Sequence, residues 1–207
     1  MRIIAVGCEY SGVTTLLEGL MEWGAGRGID HHLDDHFTIP DRQFLGPEDA
    51  QAMINLTPTL KERFQRFQIV YHVRILPHYQ HILLGGFHIE EEIYGPLYYY
   101  PGKHSPSVRQ YEPEMPEDTI LVHLKATPQM IEARMDAAPH AYPLVHKEDI
   151  QLVQQQFQTQ YHASWLHNKL EIDTSNLTPE GLLQEFLARS VPFLTPRDAL
   201  TRMMDAA

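Results

Sequence analysis

Apolar residues fall into five short runs, separated by longer stretches in which they recur at helical spacing. Residues 2–6 form the first run, which enters Gly7 and predicts a strand. Over 14–23, Leu16, Leu17 and Leu20 mark one face of a helix, and Gly24, Gly26 and Gly28 end it. A second short strand is predicted at 29–33. Residues 38–46, with Pro40 and Gly46, read as a loop. Two helices are predicted next, at 47–55 and 58–79. Pro58 suits the first turn of the longer one, with Thr57 as its cap, and Phe64, Phe67, Val70, Tyr71 and Ile75 repeat along it. The third strand, 81–84, stops at Gly85-Gly86. Residues 87–118 are less regular and hold five prolines and the run Tyr98-Tyr99-Tyr100. A fourth strand at 119–124 leads to a helix at 128–135. A polar stretch, 136–147, carries Pro139 and Pro143 and precedes a long helix at 148–167. The last strand, 169–172, passes through Asp173, Thr174 and Ser175 into a helix that opens near Thr178-Pro179-Glu180 and ends near Arg189.

Strands alternating with helices predict an α/β chain with a parallel sheet. Ligands in such sheets sit outside the carboxyl ends of the strands. The turn Gly7 to Thr15, the pair Asp34-Asp35 and Gly85-Gly86 all fall at that edge. The 207 residues suit one domain over 1–207. The apolar fraction of 43% and charged fraction of 21% are those of an ordinary globular chain. No apolar run is long enough to span a bilayer, and no secretory leader is visible, so a cytoplasmic location is expected. The sole cysteine, Cys8, excludes an internal disulfide and a Cys-rich zinc site. A net charge of -11 argues against a broad nucleic-acid-binding face, yet leaves room for a small anion in a local pocket.

The first strand-to-helix turn carries the most chemistry. Gly7-Cys8-Glu9-Tyr10-Ser11-Gly12-Val13-Thr14-Thr15 has the spacing Gly-x-x-x-x-Gly, which lets backbone N–H groups wrap an anion at a helix N-terminus. A phosphate loop would continue Lys-Ser/Thr. Here Val13 stands at the lysine position, and Thr14 stands where a hydroxyl would ligate Mg²⁺. A plain glycine turn is the alternative. Backbone amides and Mg²⁺ can hold a nucleotide without the lysine, but transfer then needs another cation. Arg134, Lys147 and Arg109 are the candidates.

Residues 1–23 resemble the start of the thymidylate kinase and nucleoside kinase families of P-loop proteins. The stretch Leu33-Asp34-Asp35-His36-Phe37 through Pro40 is similar to a segment of uridine-kinase-like enzymes in which an aspartate deprotonates the acceptor hydroxyl. Phe87 to Glu90 with Ile93-Tyr94-Gly95-Pro96 resembles the segment after strand three of thymidylate kinases, which normally opens with Asp-Arg; this chain has Gly85-Gly86 instead. Residues 120–135, with Thr127-Pro128 and Arg134, resemble their fourth strand and the helix entering the lid. Residues 143–150 resemble the lid's exit, and 170–175 the turn that packs near the adenine.

The resemblance implies a three-layer sandwich with a five-stranded parallel sheet of the P-loop NTPase, nucleotide-kinase-like type, and a lid at 136–147. It implies ATP as donor with Mg²⁺, a nucleoside, nucleoside monophosphate or similar small hydroxylated acceptor, and a homodimer. Gly7, Tyr10, Ser11, Gly12, Val13, Thr14 and Thr15 would hold the donor phosphates. Asp34 or Asp35 would take the acceptor proton, with Asp34 favoured because it ends the strand. Arg134 and Lys147 would neutralise the moving charge, and Arg66, Arg74, Glu90 and Tyr94 would bind the acceptor.

The residues also admit plainer readings. Lys61, Arg63, Arg66 and Arg74 read equally as a solvated helix face, and Glu90-Glu91-Glu92 as a solvated helix start. Tyr94, Tyr98, Tyr99 and Tyr100 either stack on a flat base or cover the sheet edge. Asp34 and Asp35 either act chemically or cap a turn. His31, His32, Asp34, Asp35 and His36 do not have the spacing of a dedicated transition-metal site, and the other histidines are scattered. Val13 and Gly85-Gly86 motivate a second function, a nucleotide-binding protein that no longer catalyses; an interaction module without nucleotide is a third.

Overall fold

The computed structural model describes residues 1–35, 37–41, 45–102 and 106–203. The chain opens with β1 (Arg2–Val6) and α1 (Val13–Ala25), followed by β2 (His32–Asp34), α2 (Pro47–Ile54) and α3 (Pro58–Ile75). β3 (Ile82–Gly85) leads into α4 (Phe87–Tyr94), and β4 (Thr119–Lys125) into α5 (Pro128–Ala137) and α6 (Ile150–Ala163). β5 (Asn168–Asp173), α7 (Pro179–Arg189) and α8 (Pro196–Met203) complete it.

The five strands form one sheet in the order β2-β3-β1-β4-β5, every pairing parallel. β1 lies at the centre, with Arg2 beside Ile82 on one flank and Thr119 on the other. Because side chains alternate along a strand, its residues feed two cores. Ile3 and Ala5 pack with Leu16, Leu17 and Leu20 of α1 and with Leu182 and Phe186 of α7. Ile4 and Val6 pack with Ile69 and Val73 of α3, Phe87, Ile93 and Tyr94 of α4, and Val153 and Phe157 of α6. Helices therefore cover both faces, which is the expected three-layer α/β sandwich with a five-stranded parallel sheet. Among the described residues no helix is long and apolar enough to cross a membrane.

Several boundaries differ from the sequence expectation, each for a local reason. The second strand starts at His32 rather than at residue 29, because Ile29 N–H returns to Gly24 O at 3.0 Å and belongs to the turn that ends α1. That shift leaves Asp34 inside the strand and Asp35 just beyond it. α3 stops at Ile75, short of 79, since Pro77 lacks an N–H; a 3₁₀ turn at Leu76–His78 follows. Residues 147–149 are a 3₁₀ turn before α6, and Ser164 turns extended (ψ 142°), so that helix is shorter than predicted. The tail past Arg189 holds α8, whose Asp198 takes the Met1 ammonium at 2.8 Å. The irregular 87–118 segment contains α4, a π turn at Gly95–Tyr99 and a 3₁₀ stretch at Val108–Glu114.

The solvated reading of the acidic run fails for its first two members. Glu90 and Glu91 are buried, because α4 is sandwiched against α3 and α6. Burial, with Glu90 and Glu92 adjacent, pushes the Glu91 carboxyl well above the ordinary carboxylate range.

Candidate functional site

The loop after β1 turns on two residues in the left-handed region, Tyr10 (φ 66°) and Gly12 (φ 102°). Gly12 is the N-cap of α1, and the first intrahelical bond is Leu16 N–H to Gly12 O at 3.0 Å. The N–H groups of Val13, Thr14 and Thr15 thus precede the helical ladder and open toward the carboxyl edge of the sheet. Glycine is required at position 7 for space rather than for dihedral freedom: a Cβ there would overlap the Ser11 hydroxyl and the Leu124 carbonyl.

This loop forms one wall of a cavity of about 360 Å³. Asp35, Thr38, Gly86, Glu90 and Tyr94 form the opposite wall; Thr174, Leu177, Pro179 and Leu182 line a third side. Gly85 and Gly86 make room for the carboxylates. A Cβ on Gly85 would run into Asp35 Oδ1, and one on Gly86 into Glu90 Oε2. Gly86, at φ 72°, also needs to be glycine for its backbone. Thr14 Oγ1 donates to Asp35 Oδ2 at 3.3 Å, and Thr38 Oγ1 to Glu90 Oε1 at 2.9 Å. Tyr94 is fully buried, and its hydroxyl accepts the Glu9 N–H at 3.2 Å. Burial, with Cys8 and Glu90 nearby, drives that phenol well above its usual range, so it remains neutral.

Residues 138–146, without helix or strand, cross one end of the loop and are held there by Glu9. Its Oε2 accepts the N–H of Leu144 at 2.9 Å and of Val145 at 2.8 Å, and its Oε1 lies 3.2 Å from His140 Nδ1. The His140 ring stacks on Tyr10 with centroids 4.0 Å apart, and Tyr10 Oη accepts the His140 N–H at 2.8 Å. Arg134 of α5 approaches from below. Its Nη1 donates to Tyr10 O at 2.8 Å and to Thr174 Oγ1 at 3.1 Å, and its Nη2 to Thr174 O at 2.7 Å. The Thr174 hydroxyl in turn donates to Ser11 O at 2.8 Å. The loop is thereby tied to α5 and to the turn after β5.

Of the residues singled out in the sequence, Gly7, Tyr10, Gly12, Val13, Thr14, Thr15, Asp35, Glu90, Tyr94 and Arg134 are brought together on this cavity. Ser11 is fully buried in the turn, and does not line it. Asp34, the favoured base, faces away: its Oδ2 lies 2.8 Å from His32 Nε2 and 3.0 Å from His72 Nε2. Strand alternation sends Asp34 and Asp35 in opposite directions, and Asp35 gets the cavity. Lys147 is exposed, with its ammonium on Asp136 Oδ1 at 2.6 Å, away from the cavity. Arg109 reaches Gln160 instead.

Arg66 and Arg74 do not converge on the cavity. α3 turns Gln65, Ile69, His72 and Val73 inward, which leaves Arg66 on its flank with Glu62 and Arg74 in solvent, 2.7 Å from Glu114. Tyr99 and Tyr100 are buried in the core. Tyr98 donates to Asp149 Oδ2 at 3.2 Å. His36 lies outside the described residues. Among the described residues, no group of three or more His, Cys, Asp or Glu is placed to hold a metal ion.

The residues that sequence reasoning left without a role are Glu9, Thr38 and His140. Glu9 lay within the quoted loop; nothing at the sequence level tied it to residues more than 130 positions away. Cys8, within the loop, is buried, and burial, with Glu9 and Glu90 nearby, lifts its thiol far above the usual range. It is expected to resist thiol reagents at pH 8 and to react only on unfolding; thiol titration with and without denaturant measures this. Fast labelling of the native protein would contradict the burial.

No protein-family model matches the sequence, and no curated protein matches it. Solved structures do. Deoxyadenosine kinase from M. mycoides with bound dATP superposes with a TM-score of 0.62 at 11% identity, over 91% of this chain and 98% of that one. The YorR protein from Bacillus subtilis, in complex with phosphorylated GDP, gives 0.59 at 15% identity, over 94% and 99%. Thymidylate kinase from Candida albicans gives 0.55 at 12% identity, over 91% and 90%. The chain has the P-loop fold that these nucleoside and nucleotide kinases share.

Proposed function

We propose that this protein is an ATP-dependent phosphotransferase acting on a nucleoside, a nucleoside monophosphate or a similar small hydroxylated acceptor. The observation that carries the reading is the loop itself: a left-handed glycine cap, open first-turn amides, and Thr14 and Asp35 3.3 Å apart across the same cavity. Amides at a helix N-terminus suit a polyphosphate. The dATP and phosphorylated GDP held by two structural neighbours are ligands of the same chemistry.

Mg²⁺ would supply charge neutralisation of the phosphates when bound. The Thr14 hydroxyl, a hard oxygen at the loop's edge, fits such an ion and would be its protein ligand. Asp35 would accept the acceptor's proton; it lies on the wall facing the loop. Glu90 and Tyr94, on the same wall, would contact the acceptor. The 138–146 strap would act as the lid that excludes water. Arg134 would act mainly by fixing the loop, since its guanidinium is spent on Tyr10 and Thr174.

The second reading is a nucleotide-binding protein that does not catalyse. Val13 favours it, for the side chain at the lysine position is packed against the apolar cluster of α1 and α7. Calorimetry with ATP and Mg²⁺ is expected to give binding under both readings. Coupled turnover over a panel of nucleosides and monophosphates is expected to give transfer only under the first; tight binding without turnover on any acceptor would leave the second. Val13→Lys is expected to tighten ATP by about tenfold, the scale of one well-placed charge-assisted hydrogen bond to phosphate. An unchanged Kd would mean that polyphosphate does not lie in this loop.

A further inference from the structure

We infer that Glu9 is a positioning residue that latches the 138–146 strap to the loop, so that a bound nucleotide leaves only when the strap N–H groups let go of this carboxylate. The inference rests on the reading of the loop as a polyphosphate site and of the strap as its cover.

A carboxylate within an anion-binding loop is out of place by charge alone, because it repels the phosphates that the amides attract. The structure shows where that charge is directed. The Glu9 side chain is 7% exposed, and its Oε2 accepts two successive N–H groups of the strap, Leu144 at 2.9 Å and Val145 at 2.8 Å. Backbone N–H groups that converge in this way make an anion site of their own. Bonds from an amide to an ionised oxygen are roughly twice as strong as neutral ones. Oε1 lies 3.2 Å from His140 Nδ1. One carboxylate therefore meets the strap at two places, residue 140 and residues 144–145.

Which partner moves follows from which one is fixed. The loop is braced without the strap: Arg134 donates to Tyr10 O, the Thr174 hydroxyl donates to Ser11 O, and the Glu9 N–H donates to the hydroxyl of the fully buried Tyr94. The strap has neither helix nor strand, and Ala138, Pro139, Ala141 and Pro143 are exposed. Its far end is rooted, since Val145 is buried in the cluster that holds Ile150 and Val153. The stretch before that root meets the loop through Glu9 and Tyr10; the Tyr10 hydroxyl accepts the His140 N–H at 2.8 Å, and the two rings stack. Glu9 is thus a fixed post, and 138–144 is the part able to lift. A segment with few buried contacts is where local opening concentrates. His140 borders the same cavity as Gly12, Val13, Thr14 and Thr15, so lifting this stretch opens the loop to water.

The test reads strap opening and nucleotide release on the wild-type chain, Glu9→Ala, Glu9→Gln and Leu144→Pro. Leu144→Pro removes one strap donor and leaves every loop residue in place. Hydrogen exchange reads the strap without any ligand. The Leu144 and Val145 amides are expected to exchange about tenfold faster in Glu9→Ala, the scale of a lost charge-assisted hydrogen bond, with the amides of β1 and α1 unchanged. Glu9→Gln keeps a neutral acceptor oxygen and is expected to fall between. Stopped-flow displacement of a fluorescent ATP analogue, with Mg²⁺, reads release. Its koff is expected to rise about tenfold in Glu9→Ala and several-fold in Leu144→Pro, with kon nearly unchanged. Both changes cut one latch, so the double variant is expected to release no faster than Glu9→Ala. A role for Glu9 in shaping the loop alone would instead slow kon, loosen the α1 amides and add to the effect of Leu144→Pro; that pattern would overturn the inference. Unchanged exchange at residues 144 and 145 in Glu9→Ala would overturn it without reference to nucleotide. If ATP does not bind to the wild-type protein, the phosphotransferase reading falls and the claim on release falls with it. If ATP binds and koff is the same in the wild-type and Leu144→Pro proteins, only the latch falls.

Discussion

Asp35→Asn is expected to lower the turnover of the acceptor that the protein accepts by about 10²- to 10⁴-fold, the contribution typical of a general base, while ATP affinity changes little. The carboxylate is wedged into the space left by Gly85 and accepts the Thr14 hydroxyl at 3.3 Å. Asparagine has the same shape and can still accept that bond through its amide oxygen, so the wall keeps its form. It cannot take up a proton. The neighbouring Asp34→Asn should behave in the opposite way. Asp34 is held by His32 and His72 on the far side of the strand, so its loss falls on stability rather than on transfer. A coupled assay on both variants, with calorimetry for ATP and thermal melts, separates the two carboxylates. Turnover of Asp35→Asn within tenfold of the wild-type protein would remove Asp35 from the base role.

Removal of Arg134 is expected to have the larger structural effect. Arg134→Ala deletes a charged fork that joins α5 to the loop and to the turn after β5, leaving Tyr10 O and Thr174 O without this donor. Hydrogen bonds from a charged donor contribute roughly 1.5–3 kcal/mol each. The side chain is partly exposed, and solvent screening reduces that sum. A loss of about 2–4 kcal/mol on urea unfolding is the expected result, with ATP binding weakened because Tyr10 and Ser11 lose their brace. Arg134→Lys keeps the charge but not the fork, and lysine does not reproduce bidentate geometry. It should recover less than half of the lost stability. Full recovery of stability and turnover by lysine would mean that the charge, as the family resemblance implied, matters more than the tie to the backbone.

The main features of the architecture were legible because they follow from local rules. Ile3 to Val6 is apolar without alternation, as a central strand buried on both faces must be, and Leu16, Leu17 and Leu20 repeat as a helix lying on such a sheet does. Gly7 and Gly12 were readable as a loop because their spacing and the following helix carry a backbone requirement. The start of β2 was less legible. Ile29 has strand chemistry, but its N–H is captured by Gly24 at the end of α1. The acidic run misled because charge predicts exposure, whereas Glu90 and Glu91 are enclosed by two helices that the local sequence does not mention.

The sequence by itself determined the five strands, the helices between them apart from α4, and the Gly-x-x-x-x-Gly loop with valine in place of lysine, since these depend on neighbours within a few residues; α4 and α8 came only with the structure. Only the tertiary structure decided which carboxylate faces the cavity and which arginine braces the loop. Those choices depend on contacts such as Glu9 with Val145 and Arg134 with Tyr10, which span more than 120 positions of the chain. Local pattern fixes where a side chain points relative to its own element; what it meets there is set by how the elements pack.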